Sequence, residues 1–138
     1  MLKDKLVDIR KELNEFDDAF TRYAFIVELS AYIPAEIPEI MTDEYIYKGC
    51  QSRVWLKLTD NDGIFNMRAT SDTLLIRGVL YIMSELYNGE KIEDIAESDF
   101  DFLKECSIEE HFNSERTVGI KKMNEEIRIF CKNHCKND

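Results

Sequence analysis

The stretch that most restricts the possible folds is Asp60-Asn61-Asp62-Gly63. Asn, Asp and Gly tolerate positive φ, so this run marks a tight hairpin turn. The segments on either side agree with it. Val54 to Thr59 alternates in the manner of a half-buried strand, and so does Ile64 to Ala69. In the latter, Ile64, Asn66 and Arg68 point one way and Phe65, Met67 and Ala69 the other. Tyr45 to Tyr47 reads as a further short strand. An antiparallel sheet with one face covered by helices is the natural result.

The helices can be placed from apolar spacing. Residues 2 to about 32 carry two amphipathic segments interrupted at Asp17-Asp18. Leu2, Leu6, Ile9, Leu13 and Phe16 line the first. Phe20, Tyr23, Ala24, Val27 and Ala31 form the stripe of the second, thickened by Phe25, Ile26 and Leu29. Pro34 ends that helix, because the residue before a proline avoids helical backbone. Residues 34–43 then form an irregular connection to the first strand. After the hairpin, Thr70-Ser71-Asp72 offers N-cap chemistry to a helix from Leu74 onward that is apolar nearly all round. Gly78 inside it costs about 1 kcal/mol relative to Ala, which implies close packing against another backbone. Asn88-Gly89 is its stop signal. Short helices are predicted at 92–96 and 99–105, and a long one from near Ser114. Residues Cys131 to Asp138 are expected to fray into a polar tail. The 138 residues make one domain, 1–138, of α+β class.

Chemistry concentrates at Gly49-Cys50-Gln51-Ser52-Arg53-Val54-Trp55, which holds the only Trp and one of four cysteines. Gly on one side of Cys50 and polar residues on the other are turn chemistry, unlike the apolar setting of a structural cysteine. Cys50 is thus expected at the tip of a strand-to-strand connection, where a scaffold can present a thiol to a partner. The thiolate is the reactive form, and a neighbouring cation favours it. Arg53 is close in sequence; His111 and Arg116 are further candidates. Cys106, between Leu103 and Ile108, reads as a small core residue. Cys131 and Cys135 with His134 have helical ligand spacing, but no fourth ligand is near them in sequence, so no metal is expected.

The formal net charge of −10 argues against nucleic acid or an anionic membrane as partner and leaves room for a protein with a basic face. No apolar run approaches membrane-span length, and Met1 to Leu6 lacks the apolar core of a signal peptide. The cytoplasm is the default expectation, with the cysteines as free thiols.

The Gly49–Leu56 stretch resembles the hallmark Gly-Cys-x-Ser-x-Val-Trp of the SufE family of sulfur-acceptor proteins. Tyr23 to Leu29 followed by Pro34 is similar to that family's N-terminal helix and proline. Ser71-Asp72 with Ile76 to Leu80 resembles its Ser-Asp segment, and His111, Ser114, Arg116 and Gly119 fall on its His…Arg…Gly run. Together these cover roughly residues 16 to 130. Ser30 and Val118 depart from the pattern, and Cys131, His134 and Cys135 belong to no family motif. The resemblance implies a three-stranded antiparallel sheet packed against helices, shared with U-type iron–sulfur scaffolds. It implies that Cys50 takes persulfide sulfur from a SufS-like, pyridoxal-phosphate-dependent cysteine desulfurase, which it stimulates. The sulfur then passes to a SufBCD-like scaffold complex. Gly49, Gln51, Ser52, Arg53, Asp72, His111 and Arg116 would support the site. No cofactor is expected on this chain, which would be a carrier and not an enzyme, monomeric or weakly dimeric. Trp55 and nearby aliphatics would shield the resting thiol.

Three other readings stand beside this one. A U-type scaffold of the same fold needs several ligands converging on Cys50. A cysteine hydrolase would use Cys50 and His111. A plain binding module would leave the Gly-Cys turn unexplained.

Overall fold

The structure, a computed structural model, describes residues 2–49, 52–112 and 114–135, without the side chains of Ser114 and Arg116. Helix α1 (Leu2–Asn14) and α2 (Ala19–Leu29) lead through a 3-10 turn (Ser30–Tyr32) to the irregular connection. Strands β1 (Ile46–Tyr47), β2 (Val54–Asn61) and β3 (Ile64–Ser71) follow, then α3 (Leu74–Tyr87), α4 (Ile92–Glu97) and α5 (Phe102–Glu105). A second 3-10 turn (Glu109–His111) precedes the long α6 (Ser114–His134).

The three strands form one antiparallel sheet in the order β1-β2-β3. The hairpin turns more tightly than a four-residue reading suggests. Asp62 (φ 55°) and Gly63 (φ 89°) alone lie at positive φ, and Asn61 pairs with Ile64. The Gly63 amide donates to Asp60 Oδ1 at 2.7 Å, so the acid closes the turn. Both hairpin strands therefore run two residues longer than their alternating runs predict. Phe65, Met67 and Ala69 are buried, with Val54 on the same face, as the alternation requires.

Helix α3 covers that face and buries nine residues. Its Gly78 does what its position implies. A β-carbon there would stand 2.0 Å from the Ile26 carbonyl oxygen of α2. Asp18 caps α2, accepting from the Thr21 amide at 2.7 Å and the Thr21 hydroxyl at 3.0 Å.

The outer edge of β3 is occupied from Gly63 to Met67. The Phe65 amide donates to the Glu90 carbonyl and the Gly89 amide to the Phe65 carbonyl; the Ile92 amide reaches Gly63. The Asn88 side chain imitates a strand residue, accepting from the Met67 amide at 2.7 Å and donating to its carbonyl at 3.2 Å. Lys5 of α1 holds this segment through Glu90 (2.6 Å) and the Asn88 carbonyl (3.0 Å).

Four expectations are corrected. The inward face of α2 is Arg22, Ile26 and Ser30, whereas Phe20 is 80% exposed. Arg22 is buried because its Nε donates to the Leu13 carbonyl and its guanidinium pairs with Glu110. The cap chemistry at Thr70-Ser71-Asp72 is used otherwise: β3 runs through Ser71, whose Oγ accepts from the Thr73 amide, and Thr73 precedes the helix without a side-chain cap bond. The helix foreseen at 99–105 begins only at Phe102, where Asp101 accepts from the Lys104 amide. Finally, Cys131 does not fray. It is fully buried, and α6 continues to His134, where Phe130 meets Phe65 edge-on and His134 Nδ1 lies 3.5 Å from Asp60 Oδ2.

Candidate functional site

Two tertiary contacts bracket the connection between β1 and β2, the stretch of sequence that includes Cys50. Cys50 and Gln51 themselves lie outside the described residues. On the upstream side, β1 ends at Tyr47, whose ring is buried and whose hydroxyl donates to the Gly119 carbonyl of α6 at 3.1 Å. Gly49 then passes so close to this ring that a β-carbon would stand 2.2 Å from the Tyr47 hydroxyl oxygen. That oxygen is held by Gly119, so the glycine is needed for clearance.

On the downstream side, Ser52 is buried and the Thr73 hydroxyl lies 2.9 Å from its Oγ. Asp72 Oδ1 is a second acceptor for that hydroxyl, at 3.2 Å. The Asp72 amide donates to the Arg53 carbonyl at 3.3 Å. The strand-to-helix turn Ser71–Thr73 is therefore the floor beneath Ser52 and Arg53. Asp72, expected to support the site, meets Arg53 through this backbone contact. Its carboxylate is exposed.

Arg53 is exposed and makes no ion pair among the described residues. In an acidic chain this is a cation left to face solvent beside the turn. The Arg116 side chain lies outside the described residues. Its helical position is three residues before Gly119, the residue that Tyr47 grips.

His111 is placed differently. Its ring meets Tyr23 of α2 edge-on at 5.8 Å, beside the Arg22–Glu110 pair. Its Nε2 is buried and has no hydrogen-bond partner among the described residues. Burial holds its pKa below the ordinary imidazole value; Glu110 opposes this and Arg22 adds to it. The neutral imidazole is favoured, which suits an acceptor or a packing group better than a cationic partner for a thiolate.

The other described cysteines are elsewhere. Cys106 sits at the α5 end beside Arg10 and Glu105, and Cys131 near Asp60. Asp60 is six residues along β2 from Val54, roughly 20 Å of strand. Burial pushes both thiols up to about 12. Among the described residues no group of three or more His, Cys, Asp or Glu side chains is arranged to hold a metal ion. The convergence of ligands that a cluster scaffold needs is not found among them. Nor is any helix among them long and apolar enough to cross a membrane.

Sequence reasoning did not anticipate Tyr47, Thr73, Leu74 or Val118. Leu74, beside Thr73, is 51% exposed and Val118, beside Gly119, is 49% exposed. Two apolar side chains thus stand in solvent next to the two anchors of the turn. Trp55 is half-buried, opposite Ile46 on β1 and Thr70 on β3, on the sheet face away from Val54.

Comparison with known proteins agrees with the fold and with the family resemblance. Residues 7–131 match the profile of SufE, described as an Fe–S metabolism associated domain. An uncharacterized SufE-like protein of Rhizobium meliloti is 29% identical over 131 residues, covering 91% of both chains. One of Rhizobium etli is 30% identical, covering 91% of this chain and 86% of its own. The solution structure of a hypothetical protein from Thermus thermophilus superposes with a TM-score of 0.76 over 94% of each chain, at 16% identity.

Proposed function

The chain belongs to the SufE family, a domain of Fe–S metabolism, and on that premise we propose that it is a sulfur acceptor working through Cys50. The donor is the persulfide of a SufS-like cysteine desulfurase. The Cys50 thiolate attacks the terminal sulfur of that persulfide. The donor's S–S bond breaks, its electron pair returns to the donor cysteine as a thiolate, and a new S–S bond leaves the persulfide on Cys50. One sulfur atom moves with no net oxidation, so no oxidant or cofactor is required on this chain. The pyridoxal phosphate belongs to the desulfurase, and the sulfur goes on to a SufBCD-like iron–sulfur scaffold complex.

The observation that carries this reading is the double anchoring of the turn: Tyr47 to Gly119 before Cys50, and Ser52 to Thr73 after it. The residues that flank Cys50 in sequence are thereby held on a fixed base. Arg53 adds a solvent-facing cation that favours thiolate over thiol. Leu74 and Val118 supply apolar area for a docking partner. Gly49, Gln51 and Arg116 complete the site by their place in the motif.

Intact-mass analysis after incubation with a cysteine desulfurase, cysteine and pyridoxal phosphate tests the proposal. A gain of one sulfur atom that maps to Cys50 is expected. The Cys50→Ser variant is expected to fold normally, gain no sulfur and fail to stimulate the desulfurase. Unchanged stimulation by this variant would overturn the assignment.

A further inference from the structure

Helix α2 carries an apolar stripe that the fold does not bury. Phe20, Tyr23, Ala24 and Val27 recur at helical spacing, continued by Ala31 in the 3-10 turn that follows. A stripe of this kind ordinarily packs on a core. Here none of the five is buried, and Phe20 and Tyr23 are 80% and 40% exposed.

The helix cannot roll to hide them. On its inner side the Ile26 carbonyl sits against Gly78 of α3, where a β-carbon would meet it at 2.0 Å. One turn earlier Arg22 is buried, its Nε bonded to the Leu13 carbonyl and its guanidinium paired with Glu110. Rotating the stripe inward would break both contacts and strand a cation. Tyr23 is held from the side as well, edge-on to the His111 ring. The stripe is therefore a fixed outer surface, and exposed apolar area of this kind marks a place where another molecule binds.

Its place in the fold narrows the occupant. Ile26 lies at Gly78, and Leu74 is one turn before Gly78 on the same face of α3. The crossing thus puts α2 on the side of α3 that also carries Leu74, which is 51% exposed and next to Thr73, the downstream anchor. Leu74 and Val118 alone are too little for a stable specific contact, in which each partner covers roughly 800 Å². Phe20 and Tyr23 add the aromatic area that interface centres favour. Charge argues against a second copy of this chain. The charged side chains that α2 and the two residues before it present to solvent are Asp17, Asp18 and Glu28, all acidic, and the net charge is −10. Two such faces repel.

We propose that the outer face of α2 docks the cysteine desulfurase that delivers sulfur to Cys50, an inference that rests on the sulfur-acceptor reading above. Phe20 and Tyr23 enter an apolar recess of the desulfurase. Lys or Arg residues around that recess face Asp17, Asp18 and Glu28. The grip on α2 supplies affinity, and the Cys50 stretch remains free to meet the donor persulfide.

The test is the stimulation of a SufS-like desulfurase, loaded with pyridoxal phosphate and supplied with cysteine, as a function of the concentration of the full chain. Phe20→Ser and Tyr23→Ser are each expected to raise the half-saturating concentration about tenfold. The rate at saturation, the mass gain on Cys50 and the melting temperature are expected to stay as in the native chain. Ile129→Ser, which changes a 48% exposed side chain ten residues along α6 from Gly119, is expected to change none of them. An unchanged half-saturating concentration in both α2 variants would overturn the inference and leave the Cys50 reading standing. So would an equal rise in Ile129→Ser. A native chain that dimerises in sedimentation, with Phe20→Ser monomeric, would assign the face to self-association instead. A native chain that neither stimulates the desulfurase nor gains sulfur would overturn the Cys50 reading itself.

Discussion

The Tyr47 hydroxyl and the Gly119 carbonyl, 72 residues apart in sequence, are joined by a 3.1 Å hydrogen bond. It ties the last residue of β1 to the first turns of α6. From there α6 follows β2 across the sheet. Fifteen residues from Gly119 to His134 rise about 22 Å, which matches the roughly 20 Å from Val54 to Asp60. Each end of the helix meets the sheet, at Tyr47 and at Asp60.

Tyr47→Phe removes the donor and leaves a buried carbonyl without it. A loss of about 1–3 kcal/mol in unfolding free energy is expected, measured by urea denaturation. The rate of sulfur uptake by Cys50 is expected to fall as well, because Gly49 packs on the same hydroxyl. A variant with lowered stability and an unchanged uptake rate would show that this anchor serves the fold alone.

Gly78→Ala sets two effects against each other. Helix propensity alone favours Ala by about 1 kcal/mol. Against it, the new methyl group would stand 2.0 Å from the Ile26 carbonyl oxygen, a backbone atom that cannot rotate away. Overpacking of this kind costs about 1–3 kcal/mol and often more. A lowered melting temperature is expected, and an unchanged or raised one would mean that α2 and α3 separate at little cost.

The cysteines are expected to react in two classes. Burial pushes the thiols of Cys106 and Cys131 up to about 12. At pH 8 only about one part in ten thousand of each would be thiolate. Brief treatment of the folded protein with iodoacetamide is therefore expected to label Cys50 and spare these two. Peptide mapping checks it, and rapid labelling of Cys131 would contradict its burial on the inner face of α6.

His111 gives a pH dependence with a definite sign. Its folded pKa lies below the ordinary value of 6.5, chiefly through burial. As pH falls through 6.5 the unfolded chain takes up a proton that the folded chain resists, so stability declines. Above that value the residue is neutral in both states and contributes no slope. Comparing denaturation midpoints at pH 7.5 and 5.5 for the native chain and His111→Asn isolates the effect. The native chain is expected to lose more on acidification than the variant.

The hairpin was legible because its cause is local: positive-φ residues at the turn and a two-residue alternation beside it. Gly78 was legible for a similar reason, since a glycine inside a good helix needs an explanation. The inward face of α2 was not, because apolar residues surround that helix and the choice is made by Arg22 reaching Leu13 and Glu110. The end of α6 was hidden for the opposite reason. Its last turn is polar in sequence and is held by Asp60 and Phe65, which are distant in the chain. At the candidate site, the motif around Gly49 and Ser52 was legible as a motif. Tyr47–Gly119 and Ser52–Thr73 are tertiary contacts with no local signature.

The Asn88 side chain, which occupies the Met67 rung of β3, bears on how the protein behaves when crowded. An uncovered edge strand is a template for sheet-to-sheet growth. Here an amide group, the segment behind it and the Lys5 clamp act as a terminator for polymerisation. Asn88→Ala would take both partners from the outward amide and carbonyl of Met67 and weaken the cover over that stretch of edge. One asparagine at the end of a helix thus does the work of a terminating strand for this part of the sheet.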